Sequence, residues 1–109
     1  MKGTGGFGNL MKQAKRIQEE LERAQAEIAE MKVEASAGGG MVTAVVNGQG
    51  ELVNLKIERE VIDPDDAEML IDLIIAAVQE AQSHAKDAAQ QKLGPLAQGL
   101  QLPGMPPGG

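Results

Sequence analysis

Residues 37–58, AGGGMVTAVVNGQGELVNLKIE, decide the fold. They hold five of the fourteen glycines, threaded among β-branched residues, and lie between two long segments with helical apolar spacing. Asn47-Gly48 separates two strand-like runs and is typical of a type I′ hairpin turn, in which both central residues have positive φ. We therefore predict strands at about 33–40, 41–47 and 51–58 that form a three-stranded antiparallel sheet.

Alternation along the third predicted strand places Val53, Leu55 and Ile57 on one apolar face, with polar residues mostly opposite. Gly50 can start this strand with a bulge. The triplet Gly38 to Gly40 is interpreted as a tight connection between strands or as a close backbone approach in a sheet shared by two chains. An active loop is less favoured, because no phosphate-cradling context surrounds these glycines.

The segment before the sheet has apolar residues at alternating steps of four and three. They are Leu10, Ala14, Ile17, Leu21, Ala24, Ile28 and Met31. This heptad pattern predicts a helix over 10–32, with Asn9 as its N-cap and ion pairs such as Lys15–Glu19 on its outer surface. A narrow apolar seam of this kind, which includes Ile17, Leu21 and Ile28, needs a partner helix.

The second helix has a clear start, because Asp63 suits the N-cap, Pro64 the first helical position, and further acids follow. We predict a helix over 64–93 that ends at Gly94-Pro95. Leu70, Leu73 and Ile74 belong to its core face. The face then thins to alanines, which permit close helix–helix approach or extend into solvent. The order is α-β-β-β-α, an α+β fold.

The predicted folded unit is a single domain over residues 10–93. Residues 1–9 read as a flexible N-terminal extension, and residues 94–109 as a disordered Gly/Pro-rich tail without charge. A core of this size with no aromatic residue is marginal, and a second copy of the chain is the expected source of further burial.

The formal charge of −6 is unevenly spread along the chain. Residues 1–18 hold four basic residues and no acid, whereas residues 58–72 are strongly acidic. Lys12, Lys15 and Arg16 occupy the start of a helix, where positive charge opposes the helix dipole. They form either a phosphate-binding surface or an ordinary solubilising one. Without aromatics in the folded part, contact with duplex backbone is favoured over base stacking.

Other candidate motifs have weaker support. GTGGFG, residues 3–8, lacks the preceding strand that a dinucleotide loop requires. His84 with Glu80 and Asp87 would be a poor metal site on one exposed helix. The chain has no cysteine, and no nucleophile–base set is apparent. We predict no enzymatic activity, metal, cofactor or small-molecule substrate, no association with membranes, and a cytoplasmic location.

Three segments together closely resemble one known family: the triple glycine, V-N-G-x-G-E at 46–51, and I-D-P-x-D-x-E-M-L-x-D-L-I at 62–74. The heptad helix before them and the Gly/Pro/Met-rich tail after them complete a likeness to the YbaB/EbfC family of nucleoid-associated proteins. The likeness spans about residues 7–107.

This resemblance implies an intertwined homodimer whose long helices project like tweezers and which binds duplex DNA with low sequence specificity at the nucleoid. It also implies an influence on nucleoid organisation and gene expression. The basic positions that it offers for DNA contact are Lys12, Lys15, Arg16, Lys86 and Lys92. The alternative is a dimeric protein-interaction module for which DNA association is incidental.

Overall fold

A computed structural model describes the backbone of residues 2–99 and the side chains of residues 6–97. Helix α1 (Lys2–Glu30) is followed by strands β1 (Val33–Ala37), β2 (Val42–Val46) and β3 (Leu52–Ile57). Two 3-10 turns (Arg59–Val61 and Pro64–Asp66) lead into helix α2 (Ala67–Gly99). The predicted α-β-β-β-α order is confirmed.

The three strands form one antiparallel sheet in the order β1-β2-β3. β2 is central, and its residues alternate between fully and partly buried positions. β1 and β3 are the edge strands of this sheet, so each has one row of backbone N–H and C=O groups that no strand within residues 2–99 pairs.

The loop between β2 and β3 makes the predicted hairpin, but with a different turn. No non-glycine residue described has positive φ, and Gly50 rather than Gly48 adopts it, at +86°. The Asn47 side-chain carbonyl accepts hydrogen bonds from the backbone N–H groups of Gln49 (2.9 Å) and Glu51 (3.0 Å). The type I′ prediction is wrong because this side chain organises a longer loop.

β3 contains an irregularity that changes which side chains face the core. Val45 pairs with Asn54 but Val46 pairs with Leu52, so Val53 is an extra residue opposite the β2 strand. Strict alternation predicts Val53 on the same face as Leu55 and Ile57, whereas in the structure its side chain is 51% exposed. Leu55 and Ile57 are half-buried and pack against the core as predicted.

The triple glycine forms the tight turn between β1 and β2, the first of its two predicted roles. Gly38, Gly39 and Gly40 all have positive φ, which glycine adopts without strain. A Cβ at Gly38 would also come within 2.9 Å of the Leu73 side chain, so α2 lies close against this end of the sheet.

The core lies between α2 and one face of the sheet, and small residues dominate it. Its buried members are Ala35, Val42, Ala44, Val46, Val61, Ala77, Ala81 and Ala85. The alanines in the second half of α2 therefore allow this helix to lie close against the sheet. The sequence had suggested a close approach between helices, or extension into solvent, instead. The predicted core residues Leu70, Leu73 and Ile74 are half-buried and pack around this centre.

The start of α2 forms as predicted. The Asp63 side chain accepts a hydrogen bond from the Asp65 backbone N–H (3.0 Å), and Pro64 occupies the first helical position. The first turn is a 3-10 turn, and the α-helix proper begins at Ala67.

Both helices are longer than predicted. α1 begins at Lys2, and Phe7 extends the heptad spacing by three residues before Leu10, so the apolar period continues into the glycine-rich segment. α2 runs through Pro95 to Gly99, although proline removes one helical hydrogen bond. Residues 100–109 of the predicted tail lie outside the described residues.

The partner of the α1 seam is α2 of the same chain, along the second half of α1. Ala24 and Ile28 are buried, Ile17 and Leu21 are half-buried, and Leu10 is 64% exposed.

The molecule is elongated, because its radius of gyration of 21.2 Å exceeds the roughly 13 Å of a compact chain of this length. Neither helix, over its described residues, is long and apolar enough to cross a membrane.

Candidate nucleic-acid interface

The first part of α1 carries an exposed group of basic side chains. We call residues 6–16 the α1 tip; every residue in it is exposed. Lys12, Lys15 and Arg16 lie here, and none of them forms an ion pair within the described side chains. The predicted Lys15–Glu19 pair is absent, so these charges are available to an outside anion.

The α1 tip and the acidic segment 58–72 lie towards opposite ends of the molecule. α1 joins the sheet at the β2–β3 loop, where Ile28 meets Gly48. The acidic segment joins the other end, since Glu58 donates a backbone hydrogen bond to Met41 (2.8 Å) beside the β1–β2 turn. The acidic segment 58–72, which would repel a polyanion, is thereby kept away from the tip.

The loop between β2 and β3 holds the base of α1. The Gly48 N–H donates to the Ile28 carbonyl (2.9 Å), and a Cβ at Gly48 would collide with that carbonyl and lie 2.6 Å from the Ile28 side chain. Asn47 is buried and its side-chain amide donates to Glu51 (2.6 Å). The V-N-G-x-G-E segment therefore anchors the long helix to the sheet.

Lys86 lies on α2 beside a groove of about 410 Å³. The groove runs between the β2–β3 loop and α2, and its lining includes Gln49, Gln82 and Leu93. Gln82 crosses it to donate to the Gly50 carbonyl (3.0 Å). Lys86 is exposed at this position, so its charge borders the base of α1 rather than the tip.

Lys92 has a partner within the chain. Its ammonium lies 3.2 Å from the Glu27 carboxylate, and this ion pair links α2 to α1. The Lys92 charge is thus already compensated. The pair is a contact between the two helices that the sequence did not indicate.

The five predicted DNA-contact residues fall into two groups. Lys12, Lys15 and Arg16 share the α1 tip, whereas Lys86 and Lys92 lie near the base of α1. Lys12 precedes Glu27 by fifteen residues, which corresponds to about 22 Å along a helix. The structure does not bring the two groups together within one chain.

The His84 cluster remains a simple surface pair. The imidazole lies 3.3 Å from the Glu80 carboxylate, and both side chains are exposed. Among the described residues, no set of three histidine, aspartate or glutamate side chains is arranged to hold a metal ion.

The family model of the YbaB/EbfC DNA-binding family matches residues 2–100 of this chain. A nucleoid-associated protein of Rhodococcus opacus is 50% identical over 107 residues, and the match covers 95% of each chain. A nucleoid-associated protein of Thermodesulfovibrio yellowstonii is 52% identical over 100 residues, which cover 92% of this chain and 88% of that protein.

The fold also has a counterpart among solved structures. The crystal structure of an uncharacterized protein from Helicobacter pylori superposes with a TM-score of 0.63 and covers 86% of this chain and 95% of that one. At 23% identity, this likeness concerns the fold.

Proposed function

The chain belongs to the YbaB/EbfC DNA-binding family, and on that premise we propose that it is a nucleoid-associated protein that binds duplex DNA as a homodimer. The exposed basic group of the α1 tip, which has no ion pair among the described side chains, is the observation that carries this proposal. Its location is the nucleoid, and its function is binding without catalysis.

The charge distribution supports binding through the tip. Residues 1–18 contain four basic and no acidic residues, which leaves six basic and sixteen acidic residues, a formal charge of −10, in the rest of the chain. At 0.1 M salt, charges more than about 10 Å apart are largely screened from each other. A polyanion is therefore attracted where the local charge is positive, even though the whole chain is acidic. Two tips in a dimer present two such regions.

The uncovered apolar surface supports the homodimer. Ile71 and Ile75 are 52% and 47% exposed on α2, and Gln82 continues the same helical stripe. Gln82 bonds the β2–β3 loop, so this stripe faces the side of α2 on which β3 lies. On β3, Leu52 and Val53 are 48% and 51% exposed.

A second copy placed against this surface would cover both apolar sets and pair the free edge of β3. Each fully buried side chain of this kind contributes roughly 1.5–3 kcal/mol. This arrangement is the shared sheet of an intertwined dimer, with two α1 tips that project from one body.

The chemistry of the tip favours recognition of the DNA backbone. Lysine and arginine neutralise phosphates, and such contacts carry little sequence information. Phe7 is the single aromatic residue in the chain, so bases have one side chain per protomer on which to stack. The binding is therefore expected to be salt-sensitive and weakly selective among duplex sequences.

Fluorescence anisotropy across ionic strength tests this function. We expect the full chain to bind two unrelated duplexes of equal length with similar affinity, and to bind them more tightly than single strands. The affinity should fall steeply as salt rises, by roughly 0.9 in log K per neutralised phosphate for each tenfold increase. Absence of duplex binding at low salt would contradict the proposal.

A further inference from the structure

The α1 tip has an apolar side as well as a basic one. Phe7, Leu10 and Met11 are 65%, 64% and 58% exposed, the highest values among the large apolar side chains described. Together with Ala14 they follow the three–four spacing of one helical stripe. A groove of about 450 Å³ runs beside this stripe, and its lining is Met11, Lys12, Ala14, Lys15 and Gln18.

The rest of the same seam is covered by α2, which runs antiparallel to α1. α2 passes Gly38 at Leu73 and the β2–β3 loop at Gln82, so it leaves the sheet at the end where α1 arrives. The Lys92–Glu27 ion pair gives the alignment. Seven residues further along α2, Gly99 lies alongside about residue 20 of α1. Coverage by the described part of α2 therefore ends where the exposed stripe begins.

Ten more residues follow Gly99 at this point: LQLPGMPPGG, residues 100–109. They are uncharged and carry three apolar side chains, Leu100, Leu102 and Met105. Their three prolines disfavour a continued helix and favour extended backbone. An extended decapeptide spans up to about 33 Å, and the path from residue 20 to Phe7 is roughly 20 Å along the helix axis.

We propose that residues 100–109 bind the apolar stripe of the α1 tip in their own chain. Leu100, Leu102 and Met105 would cover Leu10, Ala14 and Phe7, and so extend to the tip the seam that α2 covers at its base. Lys12 and Lys15 line the same groove as Met11 and Ala14, so the bound tail would border these basic side chains. The contact joins apolar side chains of one chain, and its test requires no DNA.

Paramagnetic broadening in NMR spectra tests this contact. The chain has no cysteine, so Gly104→Cys gives a single site for a nitroxide, and Phe7 gives the only aromatic ring signals apart from the imidazole of His84. We expect the Phe7 ring and the amides of residues 6–16 to lose most of their intensity. The same label at Gln49→Cys, on the β2–β3 loop, should leave Phe7 unaffected.

A mixed sample identifies which chain supplies the tail. Isotope-labelled wild type and unlabelled protein that carries the nitroxide are unfolded together and refolded, so that mixed dimers form. Unchanged Phe7 signals here, with broadening in the singly prepared sample, support binding within one chain. Broadening in the mixed sample would assign the stripe to the tail of a second copy and overturn the proposal, as would full intensity in both samples.

Variants of the tail add a second readout without altering the described fold. Leu100→Ser with Leu102→Ser should restore the Phe7 signals in the nitroxide-labelled protein, because the apolar contact is removed. Gln101→Ser, the matched polar control between them, should leave the broadening in place. Equal broadening in both variants would also overturn the proposal.

Discussion

The backbone N–H of Gly48 donates a hydrogen bond of 2.9 Å to the carbonyl oxygen of Ile28, and this contact joins the β2–β3 loop to the last turn of α1. The Ile28 carbonyl would otherwise rely on the longer bond from Met31, at 3.2 Å. The direction of α1, and with it the position of the basic tip, depends on this close approach.

Gly48→Ala should destabilise the protein by about 2–3 kcal/mol, because the added Cβ would collide with the Ile28 carbonyl and side chain. Chemical denaturation measures the change. Gly94→Ala is the matched control: no atom lies within 4 Å of its added Cβ, and alanine favours the helix by up to about 1 kcal/mol. Equal effects of the two substitutions would contradict the close approach.

Asn47→Ala should lower the free energy of unfolding by about 2 kcal/mol or more. The substitution leaves the N–H groups of Gln49 and Glu51 without their acceptor in a part-buried loop. Glu51→Gln keeps an oxygen that can accept from the Asn47 amide, so it should change stability by less than about 1 kcal/mol. The same loss in both variants would show that the loop does not depend on Asn47.

The elements that local chemistry determines could be predicted from the sequence. Asp63-Pro64 fixed the start of α2, and the glycine-rich segment between apolar runs indicated the sheet. The predictions failed where the position of a residue depends on contacts with residues that are distant in the sequence. Gly48 is needed for its approach to Ile28, twenty residues earlier, and Val53 is 51% exposed within one chain because β3 has an extra residue opposite β2.

The interface was predicted in part. The basic group at 12–16 is local on one helix, so sequence alone could find it. The pairing of Lys92 with Glu27 joins residues that are far apart in the chain, and no spacing rule indicates it. The heptad seam likewise predicted a partner helix, but only the fold assigns that role to α2 of the same chain.

Lys92→Gln should weaken duplex binding less than Lys12→Gln does. The Lys92 charge is already engaged by Glu27, whereas no described residue pairs with Lys12. Because the Lys92–Glu27 pair is largely exposed, its loss should change stability by no more than about 1 kcal/mol. Anisotropy titrations of the two variants at one salt concentration make the comparison, and a larger loss for Lys92→Gln would contradict it.

The homodimer predicts a sedimentation mass of twice 11.4 kDa at micromolar concentration. Ile71→Glu with Ile75→Glu should yield folded monomers, because two carboxylates would be buried at the proposed interface. Ala76→Glu with Ser83→Glu adds the same charge at exposed positions on another side of α2 and should leave the dimer intact. A monomeric wild type would contradict the homodimer.

The most direct measurement compares two triple variants in duplex-DNA titrations across ionic strength. One neutralises the α1 tip (Lys12→Gln, Lys15→Gln, Arg16→Gln), and the other makes the same charge change on the body (Lys32→Gln, Lys56→Gln, Arg59→Gln). We predict that only the tip variant loses most of its affinity and that its salt slope falls by up to about 5, for six phosphate contacts per dimer. Equal losses of affinity in the two variants would contradict recognition of DNA by the α1 tips.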